Sequence, residues 1–131
     1  MKGEIFNLLE NFIVDRFGVE TFERIFEQVH EKLVTKEPFI GPGTYPDQDF
    51  LQIVSATVSD LGIPLSTAVF EFGRYCFAPL AAKLPHHTAK FLHPKPLILS
   101  IHDVIHVEVK KLYEFAEPPD FIYEDIAPDK L

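Results

Sequence analysis

The sequence predicts a mainly α-helical chain. Apolar residues recur at spacings of three and four along several stretches, the period of a helix with one buried face. Glycine and proline fall mostly between those stretches, where they end one helix and start the next. Only Phe121-Ile122-Tyr123 reads as a possible strand start, and a lone strand leaves its backbone groups unpaired.

Residues 2–17 make the first predicted helix, with Ile5, Leu8, Leu9, Phe12, Ile13 and Phe17 along one stripe and Gly18 as its terminator. Thr21 is the expected cap of a second helix, FERIFEQVHEKL, with Phe22, Ile25, Phe26, Val29 and Leu33 inward. Residues 37–46, EPFIGPGTYP, hold three prolines and two glycines and form a loop. Pro46 and Asp47 open a third helix carrying Phe50, Leu51, Ile53, Val54, Val58 and Leu61, and Gly62-Ile63-Pro64 breaks it. Ser66 or Thr67 caps a fourth, through Val69, Phe70, Phe72 and Phe77 to about Leu80. Residues 83–96 are expected to be irregular, with a short helical turn around 88–92. The most periodic stretch is 97–115, LILSIHDVIHVEVKKLYEF, with Ile98, Ile101, Ile105, Val109 and Leu112 on a buried stripe and His106 at its border. Lys110 and Lys111 suit its C-terminus, and Glu117-Pro118-Pro119 stops it.

At 131 residues the chain has room for one domain and one core. Apolar residues make up 47%, with thirteen phenylalanines, which suits a core or a cavity lined by flat apolar side chains. Twelve basic against twenty acidic residues leave a formal charge of −8, a surface that repels nucleic acid and anionic lipid, so neither is an expected partner. Cys76 is the one cysteine, which excludes an intrachain disulfide and fits a reducing, cytoplasmic setting. The acidic, broken start is no signal peptide, and no apolar run approaches the roughly 20 residues of a membrane span. There is no internal repeat, no glycine-rich phosphate loop and no second cysteine for a thiolate zinc site.

His102 and His106 lie four apart on one helical face, so HDVIH approximates the zinc pattern His-Glu-x-x-His. Asp103 is one methylene short of the glutamate that would hold the water, and no clear third ligand follows, so a zinc hydrolase is the weaker reading. His86, His87 and His93 read as exposed or hydrogen-bonded loop histidines, and His30 as a partner of the second helix's C-terminal dipole. Cys76 reads as a packed thiol, with Arg74 the only basic residue at hand to activate it. A lone helical histidine such as His106 beside apolar residues is usually a satisfied core or boundary residue; neutral imidazole can ligate haem iron, but spacing alone does not distinguish the two.

A family resemblance makes the distinction. MKGEIFNLLENFI, then FGVETFERI with Phe22 where Trp is usual, then YPDQDFLQIV, then LGIPLSTAVFEFGRY with Phe72-Gly73, occur in order. IHDVIHVEVKKLY, four residues and Pro-Pro follow, placing Asp103, His106, Tyr113 and Pro119. The series resembles the haem–nitric oxide/oxygen binding (H-NOX, HNOB) domain of bacterial gas sensors, related to the haem domain of soluble guanylate cyclase.

The resemblance implies a helical distal subdomain plus the helix of the proximal haem ligand. His106 would ligate the iron of haem b (Fe-protoporphyrin IX), and Pro119 would press on its plane. Ile5 and Leu9 would meet the macrocycle, Cys76, Phe77 and Leu80 would line its distal face, and Ile101, His102 and Ile105 would surround the proximal side. The family's Tyr-x-Ser-x-Arg motif for the propionates does not occur before Leu131, so residues 1–131 are expected to be one H-NOX-like domain, C-terminally incomplete, with the family's antiparallel sheet absent or truncated. The implied function is non-enzymatic sensing of NO, with CO or O2 as other diatomic ligands, signalled to a histidine kinase or cyclic-dinucleotide enzyme. The alternative is a haem-free interaction module on the same helices.

Overall fold

The computed structural model describes residues 1–112, 122–124, 126 and 127. Helix α1 (Gly3–Phe17) starts against the 37–46 loop. The first N–H groups of any helix lack intrahelical partners. Here the Gly3 N–H donates to Gly43 O (3.0 Å) and the Glu4 N–H to Gly41 O (3.2 Å). Lys2 and Thr44 form an antiparallel bridge, the Tyr45 N–H donates to Met1 O (2.9 Å), and the Met1 ammonium donates to Tyr45 O (2.7 Å) and Asp47 Oδ1 (2.6 Å). Backbone approach this close requires glycine at position 3, since a Cβ there would clash with the Ile40 carbonyl and lie 2.7 Å from the Tyr45 ring.

Gly18 (φ 90°) ends α1 and directly opens α2 (Val19–His30). The expected cap Thr21 therefore sits inside the first turn, its hydroxyl donating to Phe17 O at 2.8 Å. Helix α2 also stops short of Leu33. The Lys36 ammonium takes the freed carbonyls of His30 and Glu31 (3.0 and 2.9 Å), and Asp49 takes the N–H groups of Val34 and Thr35 (2.7 and 3.0 Å).

Pro46 and Gly62 bound α3 (Asp47–Leu61) as predicted, Gly62 in the left-handed conformation at φ 64°. Arg24 clamps Asp60 across α2 and α3 (3.1 and 2.6 Å). Helix α4 (Leu65–Ala82) begins before Ser66 and Thr67, the Ala68 N–H donating to Pro64 O, so neither is a cap. The Tyr75 hydroxyl donates to Asp15 Oδ2 at 2.6 Å.

Two compact units divide inside α4, Met1–Pro79 and Leu80–Leu131. The first unit's core joins Phe6, Leu9, Phe12 and Ile13 of α1 to Ile25 and Val29 of α2, Leu33, and Ile53 and Val54 of α3. Phe6, missing from the predicted stripe, is its aromatic centre: it stacks on Phe39 (4.1 Å) and meets Tyr45 and Phe50 edge-on (5.7 and 5.6 Å). Phe17 and Leu51, expected inward, are exposed.

In the second unit the 83–96 stretch is partly helical. Helix α5 (Pro85–Thr88) falls before the predicted turn, and α6 (Pro94–Ser100) starts ahead of Leu97 because proline at a first helical position loses no hydrogen bond. The predicted long α-helix then changes register: Ile101–His106 is π-helical, and α7 (Val107–Leu112) resumes the α form. The predicted stripe is correspondingly broken. Leu97 is buried, Ile98 exposed, and Ile101, Ile105 and Val109 are half-buried. The Leu112 side chain, residues 113–121 with Tyr113, Pro119 and Phe121, and the expected proline stop lie outside the described residues. Residues 122–124 form no strand. The Tyr123 hydroxyl donates to Ile98 O (3.4 Å), and the Lys95 ammonium to Ala127 O. No strand occurs among the described residues, and no single helix there is long and apolar enough to cross a membrane.

Asp49 is 0% exposed. Burial raises its carboxyl pKa, but the Thr35 side chain, the two backbone N–H donors and the Lys36 charge outweigh that and hold it below the usual range. Its stabilising contribution is therefore present above the unfolded carboxylate value, about pH 3.9, and lost as pH falls through the lower folded value. Asp49→Ala should cost about 2–4 kcal/mol in urea unfolding, by stranding two donors, and Asp49→Asn should flatten the acid limb of the stability profile. Gly3→Ala should cost about 1–3 kcal/mol by the same measurement, because the obstructing Ile40 carbonyl is backbone and yields only with the loop.

Candidate functional site

The His106 segment is one rod in three registers, α6, the π turn and α7. At its entry the Ser100 hydroxyl donates to Leu97 O (2.7 Å), while the Ile101 N–H donates to Ile98 O. At its exit the Val107 N–H donates to Val104 O. Between them the i→i+5 pattern replaces the ordinary ladder, a rare arrangement concentrated at functional sites.

The turn brings together four of the predicted site residues: Ile101, His102, Ile105 and His106. The two imidazole centroids lie 6.2 Å apart with planes at 75°, and both Nδ1 atoms are shielded from water. The isoleucines are half-buried, while Asp103 and Val104 face solvent. Among the described residues no three His, Cys, Asp or Glu side chains gather to hold a metal, so HDVIH finds no third ligand there for zinc hydrolysis. An imidazole bordered by aliphatic groups is what this turn offers to a ligand.

The other site candidates on the first unit are Ile5, Leu9, Cys76 and Phe77. Ile5 is half-buried at the margin of the core. Leu9 is buried within it and lines a cleft of about 330 Å³ with Phe6, Phe22, Phe26, Phe39 and Ile53. Cys76 is buried, and burial pushes its thiol up to about 11. Arg74 pairs with Glu71 (3.4 Å) and lies 6.0 Å over the Phe70 ring, contacts directed away from thiolate activation. Phe77 beside Cys76 is 55% exposed, and Leu80, in the second unit, 37%. Pro119 lies outside the described residues.

His86 and His93 are exposed, and His30 closes α2 with its ring 5.6 Å from Phe26. His87 lies 2.9 Å from the Ser100 hydroxyl. The sequence reading missed Ser100 altogether. Its only signal is a serine one residue ahead of the histidine-bearing turn, placed to bond a carbonyl of the preceding turn.

The chain matches the Haem-NO-binding family (HNOB) over residues 2–131. No curated protein matches it significantly. The Fe(II) unliganded H-NOX protein from K. algicida is similar at 28% identity and a TM-score of 0.84, covering 97% of this chain and 68% of that one. The S. oneidensis H-NOX protein in its Fe(II)NO state is similar at 29% identity and a TM-score of 0.81, covering 98% of this chain and 70% of that one. The Shewanella woodyi H-NOX in its Fe(II)CO state is similar at 30% identity and a TM-score of 0.78, covering 97% and 66%. The chain thus spans about two thirds of the length of these proteins. A helical chain, a histidine-bearing turn and a match that runs nearly end to end agree on one assignment: the chain belongs to the Haem-NO-binding, or H-NOX, family.

Proposed function

We propose that residues 1–131 act as a haem-based NO-sensing domain, with His106 as the axial ligand of a ferrous haem b. The family to which the chain belongs is one of haem-based sensors of diatomic gases. The observation that carries the reading for this chain is the His106 side chain in its π turn, Nδ1 shielded from water and Ile101 and Ile105 alongside. An axial imidazole must be neutral and keep one lone pair for iron, and Nε2 is the atom assigned that task. The donor set therefore fits the group.

Ferrous haem, held through His106, would supply an iron able to take up a diatomic gas. The chain's part is to orient that imidazole and keep water from it, a role assigned to Ile101 and Ile105 of the same turn. His102 is assigned to the surroundings rather than to the metal. Pro119 is assigned to press on the macrocycle. Leu80 has no hydrogen-bond donor to offer a bound gas, which favours NO, and CO after it, over oxygen. The Cys76 thiol stays protonated at neutral pH, so it does not compete as a thiolate ligand. Were His106 not held by iron, its helix would be free to shift, and contacts that differ between the two positions would be the coupling energy a partner reads. That partner is a separate cytoplasmic histidine kinase or cyclic-dinucleotide enzyme, the domain itself doing no chemistry.

Reconstituted protein should show a Soret band and, with NO, a five-coordinate nitrosyl spectrum. His106→Ala should lower haem affinity by more than about 100-fold, beyond the 10–100-fold typical of losing a supporting hydrogen bond. No Soret band in the wild type after reconstitution overturns the reading and leaves the haem-free interaction module. In the native protein at pH 8, Cys76 should react with a disulfide reagent at least about tenfold more slowly than in urea, the elevated thiol pKa withholding the thiolate.

A further inference from the structure

Two residues outside the π turn that carries His106 are hydrogen-bonded at its entry. In an α-helix the Leu97 carbonyl would accept the Ile101 N–H. Here it accepts the Ser100 hydroxyl at 2.7 Å, and the Ile101 N–H donates to Ile98 O instead. A serine hydroxyl on a carbonyl of the preceding turn competes with the helical ladder. The change of register begins at the next residue and runs through His106.

The hydroxyl is itself held. His87 Nε2 lies 2.9 Å from Ser100 Oγ. Ser100 has one proton and gives it to Leu97, so its oxygen accepts from His87, which carries a proton on Nε2. His87 belongs to α5, and its ring lies 5.2 Å from that of Phe91. The hydroxyl is thus aimed by an element separate from the rod it belongs to.

We propose that His87 and Ser100 are positioning residues for His106: they fix the helical register ahead of the π turn and so set how firmly the imidazole holds the haem iron. The inference rests on the reading of His106 as axial ligand. Neither residue touches iron or gas. Removing the hydroxyl returns Leu97 O to the Ile101 N–H, draws residues 101–106 toward the α register and turns His106 away from its present direction.

The test uses the full chain with and without haem. In the haem-free protein, NMR couplings across hydrogen bonds should link the Ile101 amide to the Ile98 carbonyl in the wild type and to the Leu97 carbonyl in Ser100→Ala. In the ferrous haem-loaded protein, Ser100→Ala and His87→Ala should shift the iron–histidine stretch in resonance Raman spectra. Both should change the rate of conversion to the five-coordinate nitrosyl by about five- to tenfold, the size of one lost hydrogen bond. Ser100→Thr and His87→Gln, which keep a hydroxyl and a donor, should restore wild-type values. An unshifted stretch in Ser100→Ala overturns the proposal, and so does an Ile101 amide that stays coupled to Ile98. A wild type that takes up no haem instead overturns the parent reading, and the role toward iron falls with it. The haem-free coupling then still decides whether Ser100 sets the register.

Discussion

The first unit depends on backbone hydrogen bonds between residues 1–4 and the 37–46 loop. Helix α1 would otherwise begin with unsatisfied donors, and the loop answers them with the Gly41 and Gly43 carbonyls. That contact sets more than a helix end. It fixes the rotation of α1 about its axis, because Gly3 lies against Ile40 and the next turn must follow. Phe6 is thereby carried among Phe39, Tyr45 and Phe50, two from the loop and one from α3. Leu9, Phe12 and Ile13 fall into the core behind it, while Ile5 is left at the margin.

Asp49 ties the segment between α2 and that loop. A carboxylate with no solvent exposure is costly unless its lone pairs are engaged, and the N–H groups of Val34 and Thr35 engage them. The same bonds help end α2 at His30, since the N–H groups that would extend the chain past Leu33 are drawn to Asp49, and Lys36 satisfies the last carbonyls. Loop, helix end and α3 are one construction. The cleft lined by Phe6, Leu9 and Phe39 is framed by it.

Local chemistry was readable where it decided the outcome. Pro46 and Gly62 bound α3 because a proline start and a left-handed glycine stop act within a few residues. Thr21, Ser66 and Thr67 looked like caps and are not, because Gly18 and Pro64 open those helices by backbone alone. Phe6 and Asp49 were passed over because their value lies in partners more than a dozen residues away. At the site, periodicity located the His106 helix, and spacing alone did not distinguish a ligand from a core histidine. Assigning His106 a role toward haem took the flanking Asp103, Tyr113 and Pro119 and the family resemblance they carry. The π turn was not legible at all: apolar residues at 98, 101, 105 and 109 fit an α period, and the break comes from one hydroxyl on one carbonyl.

The size of that break bears on how a sensor built on it works. Moving a two-state element from 1:99 to 99:1 takes about 5.5 kcal/mol of differential interaction. A single hydroxyl–carbonyl bond contributes about 1 kcal/mol, so Ser100 is too weak to be the switch. What it does is choose the resting register, leaving the π turn held by a small margin against the α form. On the proposed reading, a bond from His106 to haem iron would be the stronger hold and would oppose any register that turns the imidazole away. Without such a bond, the margin left would be the one set by Ser100 and His87. A stronger lock would keep the turn fixed whether or not His106 were bound, and without any lock the unbound turn would fall back to the α register. A serine hydroxyl held by one histidine lies between those limits.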